Sequence, residues 1–71
     1  MPYVNIKVTD TSVTKQQKAD LIAGVTSLLK DILDKDPALT FVVIDEVNLD
    51  NWGVAGESSS ERTRRSLLEN R

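Results

Sequence analysis

The chain has 71 residues with no Cys, no His and a formal net charge of −2, and its pI is near 4.9. That length holds one domain. The composition excludes disulfides, thiolate chemistry and the ligands that structural zinc prefers, and the charge balance argues against nucleic acid as a partner.

A chain this short buries only about 60% of the surface its unfolded form exposes. With disulfides and zinc excluded, partner subunits are the remaining staple, so a homo-oligomer is expected. No apolar run approaches the roughly 20 residues of a membrane span. The N-terminal MPYVNIKV has no basic segment followed by an apolar one, so no secretory signal is read and a cytoplasmic location is expected.

Val4, Ile6 and Val8 alternate with Tyr3, Asn5, Lys7 and Thr9. This period of two predicts a strand with one apolar face, starting almost at the first residue. Residues 10–13 read as a turn. Thr14 and Gln17 have capping-box spacing. A helix is predicted from there to about Lys35, with Leu21, Ile22, Val25, Leu28, Leu29, Ile32 and Leu33 forming one apolar stripe. Gly24 within it is expected to permit close approach to the sheet, and Pro37 stops the helix.

Residues 41–44, Phe-Val-Val-Ile, continue through Asp45-Glu46-Val47. This run predicts a strand buried on both faces. Strand, long helix and strand make a βαβ unit with parallel strands and a right-handed crossover. One helix covers one sheet face, and a second copy of the chain is expected to cover the other. Residues 48–51 read as a polar loop and residues 52–56 as a short hairpin or extended arm. The fold class is therefore α/β: a βαβ unit with parallel strands plus a short C-terminal hairpin, its sheet completed by dimerisation. Residues 1–57 form the βαβ domain. Residues 58–71 are a Ser/Arg-rich C-terminal tail holding all four arginines. The tail reads as frayed or as a short helix, since Ser58 and Glu61 have capping-box spacing and Leu67-Leu68 offer a small anchor.

Pro2 is the residue that points to chemistry. Removal of Met1 exposes its nitrogen as a secondary amine, and a model α-amino group titrates near pH ~7.7–8.0. Apolar surroundings disfavour the charged form and lower that value. A base poised near neutrality suits general acid–base catalysis.

The segments MPYVNIKV, QQKADLIAGVT, VVIDEV and NWGVAGE together resemble the 4-oxalocrotonate tautomerase family over residues 1–57, in that family's order and spacing. The resemblance implies βαβ units paired into dimers, commonly a trimer of dimers and hence a hexamer. It implies no cofactor and no metal. It also implies that Pro2 takes a proton from a small-molecule enol and returns it at another carbon, typically in 2-oxo or 2-hydroxy unsaturated acids. Trp52 falls where the family has a pocket-lining Phe, so Trp52, with Phe41, is expected to shape an apolar pocket that excludes water.

The family's two substrate-binding arginines are absent. One would lie in the loop after the first strand, at Asp10-Thr11-Ser12; the other aligns with Phe41. A carboxylate loses bidentate, charge-assisted partners at both. Either the pocket takes a less charged substrate, or Arg62, Arg64 or Arg65 enters it from the tail. Lys7 is a further cation, read as pointing to solvent.

Two rival readings accompany this one. A non-catalytic oligomeric binding or scaffold protein would keep the fold; the absent arginine pair supports it, and retention of Met1 would favour it. A hydratase or dehalogenase variant would use Asp45 or Glu46 to activate water. Residues 46–57 carry oxygen side chains at spacings reminiscent of a calcium loop, but Asp at the first position and Gly at the sixth are missing, so a polar loop is the reading. The basic run at residues 62–65 reads as a solvated tail or an intersubunit salt-bridge arm.

Overall fold

The computed structural model describes residues 1–69. The order is β1 (Tyr3–Thr9), α1 (Lys15–Leu33), a 3₁₀ turn (Pro37–Leu39), β2 (Phe41–Val47), a second 3₁₀ turn (Leu49–Asn51), β3 (Gly53–Val54), β4 (Glu57–Ser58) and α2 (Ser59–Glu69). β1 and β2 pair in parallel, from Tyr3 opposite Phe41 to Thr9 opposite Val47. Within the described residues the tail is helical over Ser59–Glu69, and the rest of it, residues 70–71, lies outside them.

Local chemistry sets each boundary. The Thr14 hydroxyl accepts from the Gln17 amide at 3.0 Å, and the Gln17 side chain accepts from the Thr14 amide at 2.9 Å. This reciprocal cap starts α1. The helix ends at Leu33, two residues before the expected Lys35, because Asp34 turns left-handed (φ 54°) and its amide bonds back to the carbonyls of Leu29 and Lys30. Asp tolerates that conformation better than most residues with a Cβ. Ala55 and Gly56, at φ 54° and 85°, make the two-residue turn between β3 and β4. Positive φ at both central positions matches the twist of a tight hairpin.

Strand alternation gives the two-stranded sheet two distinct faces. Val4, Ile6, Val8, Val42, Ile44 and Glu46 share one face, and α1 packs on β2 there, with Lys18 of α1 ion-paired to Glu46. Tyr3, Asn5, Lys7, Phe41, Val43 and Asp45 share the other. Within one chain this second face of β2 is open, Phe41 being 50% and Val43 42% exposed; it is the face for which the sequence expects a second copy. The physical reason is that the chain has one long helix and two sheet faces. The apolar surface of α1 is also broader than the sheet can cover, and Leu28 and Ile32 stay exposed. The expectation of a close approach to the sheet at Gly24 is corrected, since a Cβ there would meet nothing within 4 Å.

Among the described residues none is buried. The radius of gyration is 16.4 Å, with extents of 50 × 25 × 17 Å. A compact chain of this length has a radius of about 11 Å. The accessible surface is 5453 Å², against about 4,400 Å² for a folded monomer of this mass. One chain by itself therefore encloses no core among the described residues.

Candidate active site

Pro2 precedes β1, and its carbonyl accepts a hydrogen bond from the Phe41 amide at 3.0 Å. The parallel register thus holds the second residue against the first residue of β2. Pro2 is half-buried and Met1 before it is exposed. Phe41 lies beside Tyr3 on the open sheet face.

Trp52 lies elsewhere, at the base of a separate arm. It ends the second 3₁₀ turn, and its carbonyl accepts from the Ser59 amide at 2.7 Å. Trp52 is half-buried. Ser58, one residue before α2, accepts from the Glu61 amide through its hydroxyl at 3.3 Å, the contact expected from their spacing. Leu67 and Leu68 are more than half exposed, so the expected anchor is not made within the chain.

The arm carries the three described arginines, and each has a different setting. Arg65 grips Glu57 with its two terminal guanidinium nitrogens, at 2.7 and 3.0 Å. Arg64 Nη2 lies 3.0 Å from Glu61 Oε2. Arg62 makes no side-chain hydrogen bond or ion pair among the described residues. It lines an open cavity of about 700 Å³ between β3 and α2, with Val54, Ser59, Thr63, Ser66 and Leu67; Arg65 reaches the same wall. A second cavity, about 470 Å³, lies beside the start of α1 and is lined by Val13, Gln17, Asp20 and Leu21. Neither of these two is lined by Pro2, Phe41 or Trp52.

The open sheet face carries a polar trio that sequence reading missed. Asn5 Nδ2 donates to Asp45 Oδ2 at 2.8 Å, and Lys7 Nζ donates to the same oxygen at 3.0 Å. The Asn5 hydrogen bond, then the hydrogen bond and charge of Lys7, hold the Asp45 carboxyl below its ordinary range. Lys7 was expected to point to solvent alone; it remains largely exposed but is paired. The signal was the odd-numbered polar set of β1, but its partner depended on the strand register. Among the described residues no cluster of three or more His, Cys, Asp or Glu could hold a metal ion, and no helix is long and apolar enough to cross a membrane.

Comparison with known proteins places this geometry. A family model described as "Tautomerase enzyme" matches residues 2–62. A probable tautomerase K2 of Dickeya dadantii is 58% identical over 66 residues, covering 93% of this chain and 98% of that protein. The 2-hydroxymuconate tautomerase of Bacillus subtilis is 33% identical, covering 86% and 97%. The crystal structure of DmpI from Helicobacter pylori superposes with a TM-score of 0.81 at 38% identity, over 89% of this chain and 97% of that one.

Proposed function

Because the chain belongs to the tautomerase family of isomerases, we propose that it ketonises a small 2-hydroxy unsaturated acid with the amine of Pro2 as its acid–base group. Removal of Met1 turns the Pro2 nitrogen from an amide into a secondary amine. That amine accepts the enol hydroxyl proton. The oxygen lone pair forms the carbonyl, the carbon–carbon double bond shifts, and the ammonium returns the proton to carbon. The ring fixes the nitrogen's direction, so little orientation entropy is lost on aiming it.

The observation that carries this reading is the 3.0 Å bond from the Phe41 amide to the Pro2 carbonyl. A terminus normally frays unless tied down, and here the tie fixes the residue whose nitrogen does the chemistry. The substrate class is supported by the 2-hydroxymuconate tautomerase among the relatives. Trp52 and Phe41 serve as apolar walls once copies assemble. A homo-oligomer built from dimer units, six chains by family analogy, is supported by the open face of Tyr3, Phe41 and Val43 and the absence of any buried described residue.

The hydratase reading is weaker. Asp45 is held by Asn5 and Lys7, and Glu46 by Lys18. Asp45, held as an anion by its two partners, is a poor base for activating water, and Glu46 is taken up by its ion pair with Lys18. Retention of Met1, which leaves the Pro2 nitrogen an amide, would favour the scaffold reading.

The test is ultraviolet-monitored ketonisation of 2-hydroxymuconate and phenylenolpyruvate by Met-free protein beside Pro2→Ala. Turnover lost in the variant supports the proline mechanism. Undiminished turnover by the variant overturns it.

A further inference from the structure

Three described arginines sit on α2, yet their chemical availability differs. Arg64 and Arg65 are neutralised by Glu61 and Glu57 on the same arm. Arg62 meets no carboxylate among the described residues and lines the cavity between β3 and α2. Ser59, Arg62, Thr63, Ser66 and Leu67 follow spacings of three and one, which places them on one side of a helix. That side combines a guanidinium, three hydroxyls and an apolar end, and Val54 of β3 adds a second apolar surface. Among the described residues no acidic side chain lines the cavity. Its volume, about 700 Å³, is in the usual range of small-molecule sites, roughly 300–1,000 Å³.

The cavity is also tied to Trp52, a proposed wall of the reaction site. The Ser59 amide bonds the Trp52 carbonyl at 2.7 Å, and Gly53 pairs with Ser58. Arg62 lies three residues along α2 from Ser59, a rise of about 4.5 Å. The indole and the guanidinium are therefore carried by one short arm and move together into any assembly.

We infer that the cavity between β3 and α2 is a carboxylate subsite, in which the Arg62 guanidinium grips one carboxylate of an unsaturated 2-hydroxy or 2-oxo acid. This rests on the proline reading for the chemistry but not for the binding. A guanidinium offers two parallel N–H donors to a carboxylate. The hydroxyls of Ser59, Thr63 and Ser66 give a polar rim, and Val54 and Leu67 take the hydrocarbon body. Arg62 acts on substrate position and specificity, and Pro2 moves the proton.

The experiment uses the full chain freed of Met1, titrated calorimetrically with cis,cis-muconate, a dicarboxylate that carries no enol to turn over. The set is wild type, Arg62→Gln, Arg62→Lys and Pro2→Ala, each with its oligomer size measured by light scattering. Wild type binds muconate, and Arg62→Gln weakens binding about 10- to 100-fold. Arg62→Lys recovers part of the loss. With 2-hydroxymuconate as substrate, Arg62→Gln raises KM more than it lowers kcat. Pro2→Ala loses turnover while keeping muconate affinity, which separates the two roles. Turnover retained in Pro2→Ala would strike the proline reading alone. Absence of muconate binding by wild type, or affinity unchanged in Arg62→Gln, overturns the subsite. Dissociation of the Arg62→Gln oligomer overturns it too, by making Arg62 an interface residue between copies.

Discussion

Lys7 and Asp45 face each other across β1 and β2 in register, with Lys7 Nζ 3.0 Å from Asp45 Oδ2. Asn5 donates to the same oxygen from the same face. This places a charged, hydrogen-bonded cluster on the face that lacks a helix. Its neighbours there are Tyr3, Phe41 and Val43, so one face offers both apolar area and a directional polar feature.

Acid should weaken the fold through Asp45. Its carboxyl is depressed by Asn5 first and Lys7 second. A depressed carboxylate contributes stability that is complete above its ordinary value of about 3.9 and is lost as pH falls through the lower folded value. Thermal melts at fixed protein concentration should therefore show a smaller loss between pH 5 and pH 2 in Asp45→Asn than in wild type. Equal losses in both proteins would dismiss Asp45 as a contributor. The group is half-exposed, so the difference should shrink in salt.

Replacing Pro2 by Ala should lower kcat by about 10²- to 10⁴-fold, the usual worth of a positioned acid–base group. The Phe41 bond uses the Pro2 carbonyl, which alanine keeps, so the fold and assembly should survive. Circular dichroism and light scattering check the fold, and intact mass checks that Met1 is gone. A preparation retaining Met1 should be as inactive as the variant, because an amide nitrogen is not a base.

A charge in the middle of the open sheet face should block assembly. Val43 is 42% exposed in one chain and lies between Phe41 and Asp45 on that face. Val43→Lys should shift light-scattering mass toward the single chain and lower the melting temperature, since the chain alone buries no described residue. An unchanged oligomer would place the interface elsewhere.

Removing the α1 cap should be a purely local loss. Thr14→Ala deletes the hydroxyl that accepts from Gln17 and should cost about 1 kcal/mol, within a range of roughly 0.5–2. Urea midpoints at equal protein concentration measure it, because melting of an oligomer depends on concentration. Turnover at low temperature should be unaffected.

By itself the sequence determined what depends on neighbours along the chain. The alternation of Val4, Ile6 and Val8 gave β1, and Thr14 with Gln17 marked the first turn of α1. The Ser58–Glu61 spacing foretold the start of α2, and Pro2 stood out for its chemistry and position. Each follows from side-chain periodicity or a bond spanning a few residues. What stayed hidden depends on register and on how far one helix can reach. Asp45 meets Lys7 because Tyr3 pairs with Phe41, and no local pattern fixes that alignment. The apolar run of β2 read as buried on both faces, although one chain covers a single face. The arginines of the tail looked equivalent in sequence. Only the fold of the arm gave Glu57 to Arg65 and Glu61 to Arg64 and set Arg62 at the cavity, because the hairpin turn and the helical phase of α2 decide which acid each guanidinium can reach.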